Sequence, residues 1–349
     1  MDHAAGRRPS SRTLRDRAES VRTVCVSEKI HWEHTRRRAR GGGERNRGVL
    51  ESGMSQVIVA CVALAASLVV MLQPASVPAR RVEAVRDDAA AESLGWRLGA
   101  QAWTFRDRSA FEAIDTVHRL GLRYIELYPG QPLTKDSKDV KVGPDLTHEQ
   151  LESLQRKLKD SGVTAVNFGV VGFQNNVPQA RKVFEFAKAL GIETITCEPE
   201  DKAWDLVAGL ADEYKINLAV HDHPKPAHYW SPDIVLAAIK GRGARCGACA
   251  DTGHWKRSGL VPVECLKKLE GHIITLHFKD IAHGVDQPWG TGECDARGML
   301  AELKRQGFRG AISIEYETGR GEALERNVAR CIEFFDATAR ELAGEKAAK

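Results

Sequence analysis

"CGACADTGHWKRSGL", Cys246 to Leu260, sets a run of small residues directly before Asp251, Thr252, His254 and Trp255. The run reads as a buried strand, and "KRSGL" leads toward a helix. Cys246 and Cys249 have CxxC spacing, but no second pair accompanies them, so zinc or redox chemistry is not expected of them. Asp251 then has two readings. It is the cap of the next helix, or it stands on the rim of an active site.

The unit recurs along the chain. Apolar runs stand at "RLGAQAW" (97–103), "YIELYP" (124–129), "VTAVNFG" (163–169), "ETITCE" (193–198), "NLAVHDH" (217–223), "CGACADT" (246–252), "IITLHFKD" (273–280) and "AISIEYE" (311–317). Amphipathic helical patterns lie between them, and several end in Gly. Thr147 and Gln150 form a capping box, and Ser231 precedes Pro232 at a helix start. Eight such units over about 250 residues predict a single (β/α)8 TIM barrel at 97–345, in the α/β class. A doubly wound sheet is disfavoured because the first turn, "WTFRDRS", has no Gly-rich fingerprint. A last long helix is expected from about Gly321 to Glu345.

In such a barrel the chemistry sits at the C-terminal strand ends. Polar residues collect there: Gln101 and Trp103, Glu126 and Tyr128, Asn167, Glu198 and Glu200, His221 and His223, Asp251 and His254, His277 and Lys279, Glu315 and Glu317. Alternation along a strand puts His277 with Lys279 and Glu315 with Glu317, but does not say which face points inward. Taken singly, His277 reads as a core histidine and Glu315 as the partner of Lys279. Taken together, two Glu, one Asp and one His on the fourth, sixth, seventh and eighth strands suit one divalent cation, Mn2+, Mg2+ or Co2+, with Zn2+ also accommodated.

"IELY", "CEPE", "HDHP", "CADTGHW", "LHFKD", "PWGTGE" and "SIEYE", in this order, resemble the xylose-isomerase-like barrel superfamily, and more closely the bacterial sugar phosphate isomerase/epimerase family. The resemblance spans about Leu98 to Phe335. It implies that Glu198, Asp251, His277 and Glu315 bind one metal ion and that His254 touches substrate. It also implies proton transfer next to a carbonyl, with Glu198 and Glu315 as the acid and base on opposite faces of a sugar carbon. "HDHP" departs from the family pattern, which leaves His221 as a further ligand or a substrate contact. Glu200 competes with Glu198 for its role. Trp103, Glu126, His223, Lys279 and Trp289 are further candidates for substrate binding, and Tyr128 and Trp255 for walls of the site. The alternatives on the same apparatus are a keto-inositol-type dehydratase, a non-catalytic sugar-binding barrel and an abasic-site endonuclease-like hydrolase.

Charge argues against the last. The net charge is +4, but residues 1–79 hold 13 of the 51 Lys and Arg and 7 of the 47 Asp and Glu. The remainder carries 38 basic and 40 acidic residues, with no footprint for nucleic acid. Residues 1–53 are Arg-, Gly- and Ser-rich and read as disordered, with Met54 an alternative start. Residues 54–79 contain an apolar run of sixteen residues without a charge, Val57 to Leu72, followed by small residues, which reads as a signal peptide or a short anchor. Residues 80–96 are expected to be a linker. An exported protein, periplasmic or at the cell envelope, follows if the signal is used, and a cytoplasmic one otherwise. The expected partner is a small-molecule carbohydrate, with membrane contact confined to the N-terminal segment. A homo-oligomer is left open.

Overall fold

The apolar runs become strands because each is short, rich in β-branched or small residues and closed by a turn. They are β1 (Trp96–Gln101), β2 (Tyr124–Leu127), β3 (Thr164–Phe173), β4 (Thr194–Pro199), β5 (Asn217–His221), β6 (Cys246–Asp251) and β7 (Ile273–Phe278). A small antiparallel pair follows, β8 (Asp280–Ala282) with β9 (Val285–Gln287), and β10 (Gly310–Ile314) is the last. The computed structural model describes residues 86–344. The expectations for residues 1–79 lie outside the described residues.

Eight parallel strands close into one barrel in the order β1-β10-β7-β6-β5-β4-β3-β2. This is the TIM barrel expected from the alternation. Its helices are α1 (Ala89–Leu94), α2 (Ala110–Arg119), α3 (His148–Asp160), α4 (Val177–Ala189), α5 (Trp204–Tyr214), α6 (Pro232–Ile239), α7 (Thr252–Arg257), α8 (Pro262–Lys268), α9 (Ala296–Arg305) and α10 (Gly321–Ala343). The Thr147–Gln150 capping box starts α3, and a second one, Ser109 with Glu112, starts α2. Pro232 opens α6 after Ser231, although the Ser231 side chain makes no cap bond. Among the described residues no helix is long and apolar enough to cross a membrane.

The end of the expected linker belongs to the folded body. Residues 89–94 form α1, which packs on α10, and Trp96 begins β1. Arg86 Nε donates to Asp336 on α10 at 3.0 Å, and its guanidinium lies over the Phe335 ring. Trp96 packs against Phe335 and donates from Nε1 to Phe308 O at 3.1 Å. The short Ala-rich helix has little amphipathic signal, so only its tertiary contacts identify it.

All six cysteines among the described residues are free and buried. Cys246 and Cys249 lie within β6, so their spacing is that of a strand.

Candidate metal centre

A polar layer crosses the barrel beneath the strand ends. Glu126 is fully buried there. It accepts from Thr196 Oγ1 at 2.6 Å, from Asn167 Nδ2 at 3.1 Å and from Ser313 Oγ at 3.2 Å. Asn167 also donates to Thr275 Oγ1 at 2.9 Å. Burial favours protonation of Glu126, but His277 and these donors prevail and hold it below its ordinary pKa. With Thr275 inside the barrel, alternation puts His277 and Lys279 on the inner face too. Ser313 does the same for Glu315 and Glu317.

Above this layer His221, Asp251, His277 and Glu315 converge, all buried, with one ligand atom of each within 4.8 Å of the others. His277 bridges the layers: Nε2 lies 2.9 Å from Glu126 Oε1 and Nδ1 3.0 Å from Glu315 Oε2. Neither ring nitrogen of His277, nor Nε2 of His221, makes a well-directed hydrogen bond, although all three are buried. Buried polar atoms normally have well-directed partners, and two carboxylates beside two such imidazoles make a donor set that fits a divalent cation.

An ammonium is already present among these side chains. Lys279 is 1 % exposed, and its Nζ reaches Glu315 Oε2 at 2.6 Å and Asp251 Oδ2. Burial opposes its charge, but Asp251 and Glu315 outweigh that and hold its pKa above the ordinary lysine value. Burial likewise disfavours the Glu315 carboxylate, yet Lys279 and His277 hold it well below the usual range. The pairing of Glu315 with Lys279 and its membership of the cluster are therefore both present.

Asp251 is the cap of the next helix through one oxygen and faces the cluster with the other. Oδ1 accepts from His254 N at 2.8 Å and caps α7, while Oδ2 faces Lys279 and lies 3.5 Å from His221 Nε2. Asp222 stands behind it and accepts the Asp251 N–H at 3.0 Å. Burial and the neighbouring Asp251 push Asp222 well above the usual carboxylate range.

Glu198, expected as ligand and base, is not among the four. It forms a second group with His221 and His223. Its Oε1 is 3.3 Å from His221 Nδ1 and is bonded to His223 Nδ1. Burial would raise Glu198, but the two histidines hold it at about 2. Burial would lower His221, but Asp251 and Glu198 hold it at about 9. His221, left between two roles by the sequence, thus joins both groups.

A cavity of about 420 Å3 opens over the cluster, lined among others by Trp103, Tyr128, His223, His254, Glu315 and Glu317. Trp103 is 41 % exposed and meets Tyr128 edge-on at 5.2 Å. Glu198 and Glu200 line an adjoining groove of about 600 Å3 rather than this cavity. Burial pushes His254 down to about 2, against the pull of Asp251, so it is neutral. Its Nδ1 is 3.0 Å from Arg257 Nη1, which also donates to Glu317 Oε2 at 2.8 Å.

Four expected contacts are corrected, and the first is Lys279, which is buried on Asp251 and Glu315 and does not line the cavity. Glu126 lies under the cluster, sealed by its own hydrogen bonds, and cannot touch a molecule in the cavity. Trp289 is 2 % exposed, packed 4.4 Å from Phe278 and against Phe335, because its loop folds back over α10. Trp255 is fully buried and does not line the cavity. Arg257 and Asp222 were not anticipated. Arg257 sits in a surface-like "KRS", and Asp222 takes the opposite strand face from its histidine neighbours, so neither gave a signal.

A family model described as xylose isomerase-like TIM barrel matches residues 114–338. Among solved structures, a putative uncharacterized protein from Parabacteroides distasonis is 34% identical over 69% of this chain and 98% of its own, with a TM-score of 0.58. A D-tagatose 3-epimerase-like protein is 18% identical over 72% of this chain and 100% of its own, at 0.57. A xylose isomerase-like TIM barrel protein from Mycobacterium smegmatis, in complex with magnesium, is 15% identical over 72% and 99%, at 0.56. The last two likenesses speak for the fold alone. No curated protein matches the chain.

Proposed function

The chain belongs to the xylose isomerase-like TIM barrel family, and on that premise we propose that it is a divalent-metal-dependent isomerase or epimerase of a sugar or sugar derivative. The observation that carries this is the buried His221–Asp251–His277–Glu315 group under an open cavity. These four would hold the ion, and two imidazoles favour Mn2+, Co2+ or Zn2+ over Mg2+. When bound, it would polarise a carbonyl and a neighbouring hydroxyl and stabilise negative charge developing on the carbonyl oxygen.

The side chains supply the rest. Trp103 and Tyr128 wall a sugar-sized cavity on one side. His254, neutral, offers a proton donor to a substrate hydroxyl. Glu315 reaches the cavity and takes a proton from carbon on its own side. Glu198, braced by His221 and His223, lines the adjoining groove, so it is the candidate to return one from the other side only to a substrate that extends from the cavity into that groove. Two carboxylates are needed because a single base would return the proton to the face it came from.

The test is metal analysis of chelator-free protein, then NMR of ketoses, aldoses and inosose in D2O. Glu198→Gln and Glu315→Gln should each lose net conversion by about 10²–10⁴-fold. One should still exchange deuterium into one epimer and the other into its opposite. Full conversion by either variant would sink the two-base reading.

A second reading, a sugar-binding barrel that never takes an ion, has Lys279 in its favour, since an ammonium already neutralises the cage. Sugar binding that persists in metal-free protein, with no exchange in D2O on adding Mn2+, Co2+, Zn2+ or Mg2+, would decide for it.

A further inference from the structure

We propose that Lys279 is a tethered cation that occupies Asp251 and Glu315 while the cage lacks an ion and passes to Glu317 when a divalent ion enters. The inference rests on the metal reading and concerns how this chain's cage is held without metal.

Lys279 is placed by its surroundings. Its N–H donates to Thr252 Oγ1 at 2.8 Å, and Thr252 Oγ1 donates back to Lys279 O at 2.7 Å. Its stem crosses Gly253, where an added Cβ would lie 2.7 Å from Lys279 Cβ and 2.8 Å from its Cδ. A glycine in "DTGHW" is thus required by close approach of the stem. The backbone and the stem as far as Cδ are packed in place, so a change of partner would be made by Cε and the ammonium alone.

Without the ammonium, Asp251 and Glu315 would be two buried carboxylates in one small space with only the His221 and His277 rings beside them, a costly arrangement. The ammonium removes that cost. A divalent ion needs the same carboxylates, and two cations on the same oxygens repel strongly where water is excluded. Lys279 therefore needs another acceptor, and one is at hand: Glu317 Oε2 lies 3.9 Å from Nζ. Glu317 is held by Arg257, which contacts His254 Nδ1 and, at 3.3 Å, Asp286. Glu317 and His254 both line the cavity, so the move reports ion occupancy to the groups that meet substrate.

The experiment is calorimetric titration of Mn2+ into chelator-stripped wild type, Lys279→Met, Glu317→Gln and the double variant, with circular dichroism to confirm folding. Removing the competitor should tighten Mn2+ binding by about tenfold or more, since a ligand's apparent affinity falls with the fraction of protein free to bind it. Glu317→Gln should weaken Mn2+ binding while Lys279 is present and have no effect when residue 279 is Met. Folded Lys279→Met with unchanged or weaker affinity overturns the proposal and leaves the metal reading standing. If Lys279→Met does not fold without ion, Glu317→Gln decides alone, and wild-type affinity in that variant overturns the proposal. No binding by wild type or any variant removes the metal reading and this proposal with it.

Discussion

Asp251 divides two duties between two oxygens, one capping α7 and one facing the cage. Substitution should separate them. Asn caps as well as Asp, so Asp251→Asn should keep the helix start while losing the charge that attracts a cation. Asp251→Ala should lose both. Each variant removes the same charge from Lys279, so the difference between them isolates the cap. In urea melts of chelated protein Asp251→Ala should be about 1 kcal/mol less stable than Asp251→Asn, and both should bind Mn2+ poorly. Equal stabilities would show that the cap bond carries no weight.

Among the elements, the connection after β7 is held by one side chain. Asp280 is buried. Its Oδ2 accepts from Gly290 N and Gly292 N, each at 2.9 Å, and its Oδ1 from Cys294 N at 3.0 Å. "KD" and "PWGTGE" are thus two halves of one device: a carboxylate and the loop of N–H groups wrapped around it. This loop is what draws Trp289 into the core and away from the cavity. Bonds to a charged acceptor are each worth about 1.5–3 kcal/mol, so Asp280→Ala should destabilise by about 2–4 kcal/mol after relaxation. Limited proteolysis should then cut within 288–294. A loss below about 1 kcal/mol in urea would mean that water replaces the carboxylate.

For the whole molecule, pH tests the buried charges. His254 is pushed down to about 2, so the unfolded chain binds its proton more readily, and stability falls as pH drops below the ordinary histidine value of about 6.5. His221 is held at about 9, so its contribution is full below about 6.5 and is lost as pH rises through about 9. His277, also raised, adds to the alkaline loss, and Glu198, held at about 2, adds to the acid loss below about pH 4. Asp222, raised by burial and Asp251, works the other way from about pH 4 upward and offsets part of the His254 slope, so chelated protein should melt highest between about pH 4 and about pH 6.5, with limiting slopes of about 1.4 kcal/mol per pH unit for each proton. A melting temperature that rises steadily from about pH 5 to about pH 9 would contradict these assignments.

The βα alternation, the Thr147–Gln150 cap and the polar strand ends were legible in the sequence, because periodicity and turn chemistry are local. They determined the barrel and the end of it that carries polar groups. Local pattern could not determine which strand face points inward, since alternation is symmetric until the barrel closes. Closure put Thr275, His277 and Lys279 inside, sank Glu126 below the cluster and set His221 where Glu198 was expected. It also brought Lys279 to Asp251 and Glu315, 28 and 36 residues away in the chain. Nothing in the sequence around Lys279 distinguishes a surface lysine from a buried one. The sequence named Glu315 as its partner, but only the folded barrel buries that pair and adds Asp251 to it.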